Sequence, residues 1–561
     1  MAMLVAMTFI AVALLVIAAL SSRLMQQRIV VDRYHDYRMT FEGVEAAIAN
    51  SKVELENGED GIVGMEDWSP QYNSDNALAM PAIDDSAVKP MVTEGMPGLQ
   101  FMAYATHWFT DGRDNNGDGQ VDNEIERFMF SVHARSAYAG TTRVVEVLYK
   151  GLDVNVWRNA IFAGSGQAGG LINGNVSIHG SVHLLGNNLF TGTSAIAAID
   201  ISGTSLVHNN YVGVPSSLLD RIPPLRTIEL NGDTVSTLDA NLRVKRGLVG
   251  MSGNSEIGEP NIAGNTVKEL MDGTYVTDGW TGTAVIPDGG RGIPKSVFSD
   301  NGWSEGYDLG DKVPFPLLSD DWRHANNGAR EARFDTGAWY SHEEYFSEVL
   351  VAKDTDPGDG FYTGNITIDA SGKSVYWNAT TGEYKYDAPP AVPPAPTDDY
   401  IYYDPAKKLV TMNGQVRING SLTFSGKGNS TTLNYSGRAA LLVTGDVTIN
   451  ANLLTCNNGN VANIANSYPV NNIVGIMAKG NMTIGATAQC QIMGAFYAEK
   501  KIAISKQTHV AGTIVSNYFD MGTNVPNIYQ VPTLADNLPY GMIGNYPIMS
   551  MKQLSWRETA G

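Results

Sequence analysis

Hydrophobic and polar positions along the chain fall into two regimes. The first 57 residues carry helical spacing, whereas from about residue 127 onward short β-branched and aromatic runs are cut by Gly, Asn and Pro. The opening run, MAMLVAMTFIAVALLVIAAL, has no charge, glycine or proline and stops at Ser21-Ser22-Arg23. At 1.5 Å per residue such a run spans about 30 Å, the thickness of a bilayer core. Beyond it, Leu24, Ile29, Val30, Val31, Tyr34, Met39, Phe41, Val44, Ala47 and Ile48 keep a loose helical period among Arg23, Arg28, Asp32, Arg33 and Asp36. No proline precedes Asn57 and the only glycine before it is Gly43. The pattern predicts one helix over 1–57, about 85 Å long, apolar over 1–20 and amphipathic beyond. Met1, Val5, Phe9, Leu14 and Leu20 sample the apolar surface as candidate assembly positions.

Residues 58–127 read as loop-rich, with short apolar patches at Met65–Trp68 and Leu99–Trp108. A hairpin follows: RFMFSVHARS (Arg127–Ser136) and TRVVEVLYKG (Thr142–Gly151), joined by AYAGT. After Trp157 a strand phrase of the type G-x-[VIM]-x-I-x-[GAD] recurs. It begins at Gly174, Gly364, Gly414, Gly445 and Gly480, with a degenerate copy at Lys500. Alternate residues such as Val447 and Ile449 share one face of a strand. The last four copies start 31, 35 and 20 residues apart, which suits a solenoid whose turns carry loops of variable length. A parallel β-helix is expected over a β-sandwich, because sandwiches carry hairpin signals rather than a repeated strand phrase. Within 213–345, LRVKRGLVGMSGNSEIG could supply further turns, while DGTYVTDGWTGT, SDNGWSEGYDLGDK and WRHANNGAREARF read as surface loops. The Pro-rich phrase Asp387–Asp399 reads as a semi-rigid connection.

Composition narrows the chemistry. A formal charge of −20 suits an acidic extracellular surface and argues against a nucleic-acid partner. Two cysteines, Cys456 and Cys490, are too few for a zinc cluster, and pairing or simple burial are both open to them. The densest motif is DGRDNNGDGQVDNEIE at Asp111–Glu126. With Asp114 as position 1, Asn116, Asp118, the Gln120 carbonyl and Asp122 fall at 3, 5, 7 and 9, and Gly119 sits at the turn. Position 12 is Ile125, so a bidentate ligand must come from Glu126, with Glu124 and Asp111 as alternatives. Acids packed this tightly repel one another without a cation, so Ca2+ in a structural role is expected rather than a bare acidic turn. The loop resembles the D-x-N-x-D-G-x-x-D calcium loops of bacterial surface and pilus-associated proteins.

The long stem resembles that of type IV pilins. TFEGVEAAIANSKVEL, and SVHARSAYAGTTRVVEVLY in the hairpin, resemble the larger minor pilins of the PilX kind, and 158–561 resembles their β-helical extension. The resemblance implies an α+β pilin-like N-terminal part, a long helix with a small antiparallel sheet, followed by a mainly-β parallel β-helix. The expected divisions are 1–57 stem, 58–157 head, 158–395 first and 396–561 second β-helical part. It further implies a subunit that waits in the inner membrane, then packs with other copies and other pilins into an extracellular filament at the cell surface. One departure stands out: pilins usually carry glutamate at the fifth mature position, whereas here position five is Val5 and the first acid is Asp32. Some tip-located minor pilins also lack that acid.

Other readings are a tip subunit, a membrane-anchored adhesin with a surface glycan or cell receptor, and a polysaccharide-active β-helix enzyme. Such enzymes carry clustered carboxylates on adjacent turns. The outward positions of the phrases here are Ser177, His179, Thr367, Arg417, Asn419, Thr448, Asn450 and Thr483, mostly small and neutral. Asp354, Asp356 and Asp359 read as a solvated turn, and His179 with His183 as two solvent-facing residues of one strand. No H-E-x-x-H, G-x-S-x-G or P-loop occurs, so no catalytic or cofactor-binding residue is assigned and no enzyme is expected.

Overall fold

A computed structural model of the chain describes residues 2–57, 59–72, 78–93, 95–115, 121, 126, 128–168, 172–187, 190–191, 194–286, 292–323, 339–349, 360–369, 374–378, 383–387, 399–457, 459–464, 467–521, 526–545 and 548–559. It divides into two compact units, Met1–Val154 with Pro547–Gly561, and Asn155–Tyr546.

The first unit begins with one helix, α1, over Ala2–Glu56, as the unbroken pattern predicts. Its C-terminal third packs on an antiparallel sheet of five strands. In spatial order these are Met91–Val92, Gln100–His107, Met129–Tyr138, Thr141–Asp153 and Met549–Thr559. Val44, Ala47, Ile48 and Leu55 join Val63, Phe101, Val132, Val145 and Val147 in one core. Gly43 sets the approach. A Cβ there would lie 2.7 Å from Ser136 Cβ and 2.9 Å from Leu99 Cδ1, so the helix sits closer than any side chain permits. The Ser136 hydroxyl donates to the Thr40 carbonyl at the same point.

The predicted hairpin is present, Tyr138 opposite Thr141. The last expected division is corrected. Met549–Thr559 pairs antiparallel with Thr141–Asp153 and buries Met551, so the chain's end belongs to the first unit rather than to a β-helical part.

The second unit is built of parallel strands in three stacks, A, B and C, which successive turns visit in that order. The strand Gln491–Ile504 shows one turn: Gln491–Gly494 lies in A, Ala495–Ala498 in B and Ile502–Ile504 in C. Stack A aligns Leu433, Leu453, Ile492, Val510, Ile528, Ile178, Val207 and Ile257. Stack B aligns Tyr362, Ile418, Val443, Ala478, Ala498, Ser516, Ala163, Leu184, Val244 and Val276. All of these side chains are buried, giving a core continuous along the stacking direction.

Two features of the stacking lie outside what the phrase predicts. Copies at Gly364, Gly445, Gly480 and Lys500 do share stack C, where Ile368, Ile449, Ile484 and Ile504 align. The copy at Gly414 lies in stack B and that at Gly174 runs into stack A, while Leu422–Phe424, which lacks the full phrase, fills the gap in C. Each stack demands the same inward alternation, so the phrase marks a strand without marking its stack. Chain order and stacking order also differ. The turns from Tyr362 to Ser516 stack onto Ala163, and the turns from Ala163 to Val276 continue beyond it. The first and last turns are therefore neighbours, and residues 395 and 396 mark no division.

DGTYVTDGWTGT, expected as a surface loop, instead supplies Gly273–Val276 to stack B and Trp280–Thr281 to stack C. The phrase LRVKRGLVGMSGNSEIG does supply strands, Asn241–Val244, Leu248–Met251 and Glu256–Ile257. Asp354, Asp356 and Asp359, and the Pro-rich phrase apart from its ends, lie outside the described residues.

Candidate assembly surface and calcium loop

The stem is an exposed apolar rod. Its most apolar window has a mean hydropathy of 2.9, none of it buried, and by length and composition it is able to cross a membrane. Phe9 is 79% exposed, and Val5, Leu14 and Leu20 are exposed as well; Met1 lies outside the described residues. The one hydroxyl in the run, on Thr8, donates back to the Leu4 and Val5 carbonyls at 2.9 Å, so no side-chain donor on this surface is left seeking water. Charge begins at Arg23 and is answered within the helix: Arg28 lies 3.8 Å from Asp32 and Arg38 2.9 Å from Glu42.

Between Met3 and Leu20 about a dozen large apolar side chains stand in the open. At roughly 1.5–3 kcal/mol each, covering them is worth about 18–36 kcal/mol. That exceeds the whole folding stability of a typical domain, about 5–15 kcal/mol. Such a stem needs a bilayer or other helices around it.

Of the expected calcium ligands, Asn116, Asp118, Gln120, Asp122 and Glu124 lie outside the described residues. Asp111, Asp114 and Glu126 are described. The Asn115 backbone N–H donates to Glu126 Oε1 at 2.6 Å, and the Asn115 amide donates to both Asp111 oxygens at 3.0 and 2.9 Å. Glu126 is fully buried and ties the end of the motif to its beginning. Arg113 stacks 3.5 Å over the Tyr72 ring, whose hydroxyl is pushed up by burial and by the Asp111 charge. Among the described residues no group of three His, Cys, Asp or Glu is arranged to hold a metal ion.

Three further points bear on the sequence reading, the first of them left open there. Cys456 and Cys490 are free, buried thiols. The register Leu453 to Ile492 sets them about five residues apart along adjacent strands, about 16 Å, too far for a disulfide. Burial pushes both thiols up, Cys490 to about 11, which keeps them protonated. His179 and His183 are not solvent-facing and not on one strand. They lie in stacks A and B on either side of a corner at Gly180 and are almost wholly buried. Nothing in strand alternation signals this, because Asn210 and Tyr529 cover His179 from neighbouring turns and Tyr307 covers His183. Finally, acids do gather on adjacent turns, but interleaved with cations. Arg226 pairs with Asp239, and Lys268 lies 2.7 Å from both Asp272 and Asp300. Each carboxylate there has a cationic partner, as a structural network requires.

No protein-family model and no curated protein matches the chain. A solved structure to which it is similar is the competence-associated pilin ComZ from Thermus thermophilus, at 17% identity over 93% of this chain and 97% of that one, with a TM-score of 0.48.

Proposed function

We propose that the chain is a structural subunit of an extracellular type IV pilus-like filament. The exposed apolar rod of α1, continuous with a docked C-terminal third, carries this reading. The stem sits in the inner membrane and then exchanges lipid for the stems of other subunits, keeping its apolar surface covered in both states. The second unit, read as a parallel β-helix, is displayed at the cell surface. Its three stacks, visited in one order by successive turns, support that name. The Asp111–Glu126 loop binds Ca2+ and orders the head, with Glu126 fastening its ends.

A tip position is the alternative to a repeating one, and one observation supports it, the lack of any acid from Ala2 to Val31. Full-length protein is expected in filaments with its stems in the core, and protein lacking residues 2–22 as a soluble, folded monomer. Labelled full-length protein found only at fibre ends selects the tip role. Filaments from the truncated protein would overturn stem-driven assembly, and full-length protein that stays in membrane without entering fibres would mark an anchored adhesin.

A further inference from the structure

The two arms of the second unit meet at one junction. The last turn, through His509–Asp520 and Asn527–Tyr529, stacks on the first, through Ile161–Gln167 and Ser177–His179. A line of rings crosses it on stack A. His509 and Tyr529 lie 5.9 Å apart and nearly parallel, Tyr529 and His179 4.9 Å apart, and His179 and His208 4.5 Å apart at 17°. Tyr529, His179 and His208 are register partners, so the line is built into the stacking itself.

Each imidazole has a fixed neighbour. His509 Nδ1 meets the Tyr529 hydroxyl at 2.9 Å, His179 Nδ1 meets the Asn210 carbonyl at 2.7 Å, and His208 Nδ1 faces Glu259 Oε2 at 3.3 Å.

We propose that this ladder makes the stacking on both sides of His179 an acid-sensitive seam: the strand of His179 parts from that of Tyr529 across the junction, and from that of His208 within its own arm, when His179 and His208 become charged face to face, while stacks remote from the ladder hold. The groups facing His179 are His208, His509 and Tyr529, none of them acidic at neutral pH. His208 faces Glu259, which itself lies beside Glu256. Burial, then the neighbouring His208, holds His179 down to about 3; burial lowers His208 in spite of Glu259. Both folded values lie below the free imidazole value of about 6.5. The contribution of the neutral ladder is therefore complete above that pH and is lost as pH falls from it towards the folded values. Each proton taken up on opening multiplies the open fraction about tenfold per pH unit. His183, one corner beyond His179 on stack B beside Arg243 and Lys245, is not a member of the ladder.

Hydrogen exchange of the full-length protein at pH 7 and pH 5, corrected for intrinsic rates, tests the seam. Peptides covering 176–182, 205–209 and 526–531 should lose at least about thirtyfold in protection, and those covering 422–426 and 447–451 much less. His208→Gln should shrink the seam's loss. Glu259→Gln, at a partly exposed position, removes the counter-charge and should enlarge it, and carries the test if the first variant does not fold. Equal loss in seam and distal peptides, or profiles unmoved by Glu259→Gln, would overturn the proposal.

Discussion

Ile449 offers the most direct test of the stacked architecture. It is fully buried in stack C, in register between Phe424 and Ile484, while its neighbour Thr448 points outward and is half-buried. Ile449→Ala removes three buried carbons, about 2.4 kcal/mol of transfer free energy. Neighbours held by strand pairing on both sides cannot close the gap, so the cavity brings the loss to about 3–4 kcal/mol. The second unit runs from Asn155 to Tyr546. At about 2.1 cal/mol/K per residue its unfolding entropy is roughly 0.8 kcal/mol/K, so the melting temperature should fall by about 4–5 °C. Thr448→Ala loses only an outward methyl and hydroxyl and should shift it by less than about 1 °C. Calorimetry of the two variants beside the parent in detergent reads the difference. If Thr448→Ala costs as much as Ile449→Ala, or Ile449→Ala moves the transition by under about 1 °C, the inward alternation assigned to stack C is wrong.

Gly43→Ala should destabilise the first unit by about 1–2 kcal/mol, although alanine favours helix by up to about 1 kcal/mol, because its methyl meets Ser136 Cβ. Adding Ser136→Gly should restore part of the loss in a double-mutant cycle, and a stabilising Gly43→Ala would refute the close approach. Calcium should bind the full-length protein in titration calorimetry and protect the Asp111–Glu126 segment from proteolysis. Asp114→Asn with Asp118→Asn should abolish both effects, and protection indifferent to calcium would remove the metal's structural role.

What could be read from the sequence follows from how local its cause is. The helix over 2–56 was legible because an unbroken apolar and amphipathic period leaves few alternatives, and its lone glycine was the visible trace of a close contact made some ninety residues away with Ser136. Strands were legible by alternation; their assignment to stacks was not, since A, B and C impose the same alternation. His179 sits at an outward position and is buried all the same, because Tyr529, His208 and Asn210 of the neighbouring turns cover it, and alternation along one strand records nothing of those turns. The expectation of a calcium loop at Asp111–Glu126 rests on spacing alone; among its described residues, Asn115 ties Glu126 to Asp111.

The largest misreading, a head followed by two successive β-helical parts, has a geometric cause. In the first unit Thr141–Asp153 and Met549–Thr559 are adjacent strands, so the chain between them is an insertion whose ends must be close together. A solenoid that stacked its turns in chain order would hold its two ends about 43 Å apart, nine spacings of about 4.8 Å across the ten strands of stack B. Starting in the middle, building outward to Val276, and returning from Tyr362 inward to Ser516 puts the first turn against the last. The contacts at that point are dense. Trp157 donates through its indole N–H to the Ile543 carbonyl at 2.7 Å, Arg158 pairs with Asp536, and Gln530 donates to the Arg158 carbonyl while accepting from the Ser181 N–H. The permuted order is thus what lets an insertion built of stacked parallel strands leave the sheet of the first unit intact. Its cost is a junction between residues some 350 positions apart, held by the pairing of His509–Asp520 with Ile161–Gln167 and of Asn527–Tyr529 with Ser177–His179 together with those side chains.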